Sequence, residues 1–191
     1  MITRRRQDVL EENETVMIAS SPVKTETITA VTDISKGGEV AASFSTISAK
    51  SRSRDILIHN AAYFGSSNPL MNDTVDEWFQ SLETNARGSF LAARVFWSRV
   101  VPDATMVNIA GTTVHRHGSN FPGASAYTAS KIAVMRLFDY LQVENPELHF
   151  FNLPPAWLVN DLMRKVGMTT AIDTGMSHWI SLILFCHSLV C

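Results

Sequence analysis

The sequence predicts an α/β fold in which a parallel sheet is wound with helices on both faces. Three observations lead there. Short runs of high β-propensity alternate with helical patterns along most of the chain. The spacing of those runs leaves room for a helix between successive strands, as βαβ units require. The 191 residues are 46% apolar and 18% charged, near the globular average, and no internal repeat or low-complexity linker divides them.

The elements follow in order. Lys24 to Asp33 is rich in Thr and Val and reads as a strand. Val40, Phe44 and Ile47 recur at helical spacing and predict an amphipathic helix. Asp55-Ile-Leu-Ile-His-Asn is a short apolar strand that ends on a polar residue. Thr74-Val-Asp-Glu77 before Trp78 matches a capping box, so a long helix is expected from there through Asn85 towards Val100. Thr105 to Ala110 is the next strand, Ser125 to Val143 the next helix, and His149 to Leu153 the last strand. Chemistry in such sheets gathers at the carboxyl edge of the strands. That rule selects Asp33, Asn60 and Gly65, the loop after Ile109, and the Pro154-Pro155 turn.

Composition narrows the function classes. Sixteen Lys and Arg against eighteen Asp and Glu give a net charge of −2, which carries no footprint for nucleic acid or acidic lipid. Cys186 and Cys191 both fall in the last six residues, which is no disulfide framework and fits a reducing compartment, the cytoplasm. The apolar tail Trp179–Cys191 is shorter than the roughly 20 residues a membrane-spanning helix needs, so no membrane association is expected. His115 and His117 have no second cluster to complete a metal site, so no metal is expected.

Tyr127 and Lys131 lie four apart in Ser-Ala-Tyr-Thr-Ala-Ser-Lys, hence on one helix face. An ammonium beside a phenol favours the phenolate, so the Tyr127 pKa is expected to fall and the group to exchange protons with an alcohol or carbonyl. Around this pair stand Asn60-Ala61-Ala62 after a strand, Asn85 within a helix, Val107-Asn108-Ile109 closing a strand, and Pro155-Ala156-Trp157-Leu158-Val159.

In this order and spacing, over roughly residues 4–163, the set resembles the short-chain dehydrogenase/reductase family, which binds NAD(P) on a Rossmann sheet. The resemblance implies NADP, with NAD as the other nicotinamide cofactor. It further implies a small-molecule carbonyl or alcohol substrate and a homo-oligomer. It assigns Tyr127 as catalytic acid/base and Lys131 as the lysine that holds the nicotinamide ribose and lowers the Tyr pKa. Asn85 would hold a water of the proton relay through its backbone. Asp33 would contact adenine, Asn60 would pack beside the adenosine ribose, and Val159 would contact the carboxamide.

The sequence departs from the family at four places. No Gly-x-x-x-Gly-x-Gly turn precedes Asp33, so the chain aligns from the family's second strand at Ile2-Thr3-Arg4-Arg5, with one βα unit expected in front. The Arg4-Arg5-Arg6 cluster suits a 2′-phosphate. Gly111 takes the place of the substrate-binding serine, leaving Thr112, or else Thr113, to supply a hydroxyl. Pro155-Ala156 replaces a Pro-Gly turn, and the sequence after Met168 is unlike the family. We therefore expect a doubly wound, Rossmann-like domain over residues 1–168, incomplete at both ends, and a divergent apolar tail over 169–191. The functional expectation is an NADP-dependent oxidoreductase that interconverts a carbonyl and a secondary alcohol. The alternative is a non-catalytic relative or dimerising module.

Overall fold

Every strand pair among the described residues is parallel. The computed structural model describes residues 2–24, 26–50 and 53–155. Strand β1 (Ile2–Arg4) leads through helix α1 (Gln7–Ser20) to β2 (Thr29–Val31). Helix α2 (Gly37–Lys50) follows, then β3 (Arg54–His59), α3 (Val75–Leu82) and α4 (Gly88–Trp97). Strand β4 (Val100–Ile109), α5 (Ser125–Glu144) and β5 (His149–Leu153) complete the order. β1 pairs with β2, while β3, β4 and β5 form a second sheet with β4 in the middle.

Side-chain alternation decides what the larger sheet buries. Leu57, Met106 and Phe150 are register neighbours across β3, β4 and β5. They join Val40 and Phe44 of α2, Ala93 and Phe96 of α4, and Val134 and Phe138 of α5 in one core. The alternate rows carry Ile56 and Phe151, both about half exposed. Helices α2, α4 and α5 thus share one face of this sheet. The α1 residues Leu10 and Met17 instead pack on Ile2 of β1. Arg54 opens β3 with its guanidinium buried beneath the end of α4. It donates to the carbonyls of Val95 and Phe96 and to the Ser48 hydroxyl, and lies 5.0 Å from the Phe44 ring centroid. It supplies donors that the last carbonyls of a helix otherwise lack.

The expected helix from Thr74 forms, and its cap is half the expected box. The Thr74 hydroxyl accepts from the Glu77 amide at 3.2 Å, but the Glu77 carboxylate accepts from the Tyr63 hydroxyl at 2.7 Å rather than folding back. The helix runs through a π-turn at Glu83–Arg87 into α4. The strand expected over Lys24–Asp33 is paired only at Thr29–Val31. The strand at Thr105 extends back to Val100, and a register shift between Arg54 and Ile56 absorbs the difference. Helix α1 had no clear signal, because only Leu10 and Met17 of its fourteen residues are buried. No helix among the described residues is long and apolar enough to cross a membrane. The boundary expected at residue 168 lies outside the described residues.

The start of α5 is set by a backbone contact. Gly123 adopts φ +79°, and a Cβ there would fall 2.2 Å from the Ser67 carbonyl oxygen. Glycine alone allows both the left-handed conformation and the close approach. Gly123→Ala is expected to destabilise the protein by roughly 2–4 kcal/mol, read as a lowered midpoint in urea unfolding.

Candidate active site

Helix α5 carries Tyr127 and Lys131 to the carboxyl end of β4. Lys131 Nζ donates to the carbonyl of Ile109, the last residue of β4, at 2.8 Å. The Tyr127 ring packs on Phe64, with centroids 5.1 Å apart and planes at 32°. Both side chains are buried, and Nζ lies 6.0 Å from the Tyr127 ring centroid. The helical spacing read from the sequence does place the pair on one inward face.

The electrostatics differ from the expectation for the tyrosine. Burial pushes the Tyr127 phenol up to about 12 and the Lys131 ammonium down to about 8. A charged form of either group is penalised by desolvation, and among the described residues neither has a carboxylate partner to offset it. The expected lowering of the phenol by Lys131 is therefore overturned in this state, because Nζ is directed at the Ile109 carbonyl and desolvation dominates.

Asn85 holds the site together. It sits buried within the π-turn Glu83–Arg87. Its Oδ1 accepts from the Tyr63 amide at 2.7 Å, and its Nδ2 donates to the Tyr63 carbonyl and the Ser130 hydroxyl, each at 2.8 Å. Ser130 Oγ in turn donates to the Tyr127 carbonyl at 2.7 Å. One buried amide thus joins the loop after β3 to the turn of α5 that bears Tyr127 and Lys131. The Asn85 carbonyl accepts from the Gly88 amide and the Ser89 hydroxyl. The side chain of Asn85 thus forms a clamp, while its carbonyl, expected from the resemblance to hold a relay water, lies at the same turn.

Ser89 extends the network to His59. Its hydroxyl gives its proton to the Asn85 carbonyl, so it receives the Nε2 proton of His59 across 2.6 Å. Burial, with a smaller contribution from the Lys131 charge, holds His59 down to about 3, so it is neutral at pH 7. Neither His59, Tyr63, Phe64 nor Ser130 was a site candidate from the sequence. Ser130 sits one place before Lys131 and His59 one before Asn60, so adjacency to the motifs was the available signal.

The remaining candidates are distributed along the strand ends. Asp33 lies two residues past β2, where its Oδ1 accepts from the Ser35 amide at 3.0 Å and the Ser35 hydroxyl at 2.7 Å. The Ser35 bond, with the nearby Arg5 charge, lowers its pKa despite partial burial. Asn60 directly follows β3 and is half-buried. Thr112 Oγ1 donates to the Pro155 carbonyl at 3.0 Å, so this hydroxyl is engaged in holding the loop. Thr113 Oγ1 is buried without a partner among the described residues, at a cost of about 1–3 kcal/mol. Val159 lies outside the described residues.

The donor set fits a nicotinamide cofactor on one side. A buried ammonium has three N–H donors, and here the Ile109 carbonyl takes one, so vicinal hydroxyls of a ribose suit the rest. No glycine-rich turn that would meet the pyrophosphate occurs among residues 1–28.

Residues 3–146 match the family model described as enoyl-(acyl carrier protein) reductase. The chain belongs to the short-chain dehydrogenase/reductase family. Among curated members, a short-chain type dehydrogenase/reductase of Picea abies is 30% identical over 178 residues, 89% of this chain and 65% of that one. The 3beta-hydroxysteroid dehydrogenase of Mediterraneibacter gnavus is 31% identical over 113 residues, 59% of this chain and 40% of that one. This family member spans from 29% to 65% of the length of the curated relatives it matches. Among solved structures, the alcohol dehydrogenase of the archaeon Thermococcus sibiricus, complexed with 5-hydroxy-NADP, is similar at TM-score 0.77 and 19% identity, over 99% of this chain and 79% of that one. Levodione reductase is similar at TM-score 0.72 and 23% identity, over 80% and 59%. At these identities the structural likeness bears on the fold, which is the Rossmann-like, doubly wound α/β fold.

The buried His59 makes stability sensitive to acid. An unfolded histidine takes up a proton near pH 6.5, whereas the folded one resists until about 3. Stability is therefore lost as pH falls from about 6.5 towards 3. In His59→Asn the melting temperature is expected to fall less steeply between pH 6.5 and 4 than in the parent, as followed by circular dichroism.

Proposed function

We propose that this chain is an oxidoreductase that interconverts a carbonyl and a secondary alcohol, with NADP preferred over NAD. The observation that carries the proposal is the pair Tyr127 and Lys131, buried together at the carboxyl edge of β4 without a countercharge among the described residues. Dehydrogenases and reductases among the relatives support the reaction class. Two observations support NADP. Arg4, Arg5 and Arg6 follow from the carboxyl end of β1, with the Arg5 charge felt at Asp33. A structural relative, a blue fluorescent protein from a metagenomic library, was solved with NADPH.

In this reading Lys131 holds the nicotinamide ribose through its free N–H donors, Asp33 and Asn60 flank the adenosine, and Val159 meets the carboxamide. The chemistry a bound nicotinamide supplies is two-electron transfer at the carbonyl carbon. The chain's own task is the proton. Tyr127, protonated at neutral pH because burial disfavours phenolate, donates to the carbonyl oxygen as that oxygen gains negative charge. The Lys131 ammonium then faces a phenolate. A positive charge 6.0 Å from the ring centroid favours that phenolate over the neutral phenol. Asn85 keeps this pair in register with the loop after β3. Thr112 braces the loop to Pro155, and its hydroxyl is at the service of that loop. We assign residues 1–168 to the catalytic domain, 169–191 to a separate tail, and the chain to the cytoplasm as a homo-oligomer.

The test is fluorescence titration with NADPH, then turnover of cyclohexanone, acetophenone and ethyl acetoacetate. Micromolar binding with turnover of one ketone is expected. Absence of binding at millimolar NADPH overturns the proposal, and binding without turnover favours the non-catalytic reading. Tyr127→Phe is expected to lower kcat by about 10²- to 10⁴-fold with NADPH affinity retained. The pH profile follows from Lys131. Ketone-reduction kcat/KM is expected to be level below pH 8 and to decline above it, as the ammonium that supports the phenolate loses its proton.

A further inference from the structure

We propose that Glu77 is a positioning residue for Tyr127 and acts through its hydrogen bond with the Tyr63 hydroxyl, an inference that rests on the reaction proposed above. The starting observation is the departure from the expected capping box. In such a box the glutamate at the third helical position reaches back to the amide of the capping residue. Here the Thr74 amide donates to Asp73 Oδ1 at 3.2 Å, so Glu77 is released from that role. Its carboxylate accepts instead from the Tyr63 hydroxyl at 2.7 Å, in the loop that follows β3. Asp73 turns its other oxygen to the same loop, where Oδ2 accepts from the Ser66 hydroxyl at 2.7 Å. Two acids at the start of α3 thus hold the loop. The Tyr63–Glu77 bond is of the stronger kind, between a hydroxyl and a charged acceptor. Burial, together with the neighbouring Glu77, pushes the Tyr63 phenol up to about 12, so it keeps the proton it donates.

What the loop carries gives this bond its consequence. Phe64 is the next residue, and its ring packs on the Tyr127 ring with centroids 5.1 Å apart. A single peptide therefore joins the ring held by Glu77 to the ring that rests on the acid/base. Asn85 already fixes the Tyr63 amide and carbonyl, which anchors the backbone at one point. The hydroxyl bond adds a second anchor on a different element, and two anchors set the direction in which Phe64 leaves the chain. Gly65 lets the loop close over the carboxylate. It adopts φ +75°, and a Cβ there would lie 3.1 Å from the Ser81 hydroxyl and 3.4 Å from Glu77 Oε1.

Helix α3 steadies the other partner of the stack as well. Trp78 Nε1 donates to the hydroxyl of Ser125, the first residue of α5, at 3.0 Å. Glu77 and Trp78 are adjacent, so the loop bearing Phe64 and the helix bearing Tyr127 are both referred to one turn of α3. A proton donor needs that precision, because about 1 Å of misplacement can cost about 10²-fold in rate.

The experiment uses the full chain with NADPH and the three ketones named above. It compares the parent with Glu77→Ala, Glu77→Gln, Tyr63→Phe and the double variant Tyr63→Phe/Glu77→Ala, at a temperature where circular dichroism shows each one folded. Glu77→Ala and Tyr63→Phe are each expected to lower kcat by about tenfold, a part of what an ångström of misplacement costs. The ketone KM and the NADPH dissociation constant should stay within about twofold of the parent's, because neither side chain is assigned to hold ketone or cofactor. The double variant should lose no more than either single one, since both remove the same bond. Glu77→Gln, whose amide oxygen still accepts from the phenol, should keep at least about half of the parent's rate. A second readout involves no turnover. With ring-labelled tyrosine, the Tyr127 NMR signal is assigned by its absence in Tyr127→Phe. It should move in Glu77→Ala and Tyr63→Phe as the Phe64 ring shifts, and stay in place in Glu77→Gln. If Glu77→Ala does not fold, Tyr63→Phe, which removes one oxygen atom, carries the same comparison with Glu77→Gln. An active parent with unchanged kcat in both single variants, additive losses in the double variant, or an unmoved Tyr127 signal beside a lowered kcat overturns this proposal alone. A parent inactive on all three ketones overturns the proposed reaction, and this inference with it.

Discussion

A buried amide must find partners for every donor it carries, and Asn85 meets that demand in a way that sets the position of everything else in the site. Its two N–H bonds go to different elements, the Tyr63 carbonyl after β3 and the Ser130 hydroxyl on α5. Ser130 passes the constraint to the Tyr127 backbone, and Ser89 passes it to His59 through the Asn85 carbonyl. Leaving any of these groups unpaired in the interior would cost more than the bond itself contributes. Orientation is therefore over-determined around Tyr127 and Lys131, with Asn85 buried in the π-turn at the centre of the network.

The same dryness that makes those bonds strict also tunes the acid and its cation in opposite directions. Tyr127 and Lys131 are both driven towards their neutral forms by burial, one upward and one downward. Burial thus holds the phenol protonated at neutral pH and makes the ammonium easier to deprotonate than in water. A more exposed pair would ionise separately in water and lose the coupling. Lys131 keeps spare donors because the Ile109 carbonyl, at the last residue of β4, takes only one of them.

Local periodicity made much of this arrangement legible. The four-residue spacing of Tyr127 and Lys131 predicts a shared helix face, and the structure places both inward. The strand at His149–Leu153 and the helix from Ser125 appear where β-propensity and apolar spacing put them. What escaped was non-local. The partners of Asn85 lie 22 and 45 residues away along the chain, beyond the reach of any pattern in its own helix. The direction of the Tyr127 shift depends on burial depth, which a Tyr-x-x-x-Lys spacing does not encode. Helix α1 was missed for a plainer reason: two buried residues a full heptad apart make too thin a stripe.

All strand pairs among the described residues are parallel, and this sets a timetable for assembly. Ile58 pairs with Val107, and Val107 with Phe151, so no strand of the larger sheet can dock on its neighbour through a tight turn. At a synthesis rate of 5–20 residues per second, β3 emerges roughly 2–10 s before the residues of β4 that complete its ladder. During that interval Leu57 and Ile58, on opposite faces of β3, wait for their β4 partners Met106 and Val107. Contacts so distant in sequence also make folding slow once the chain is free. This kinetic burden is set by the topology and is separate from the stability of the finished fold.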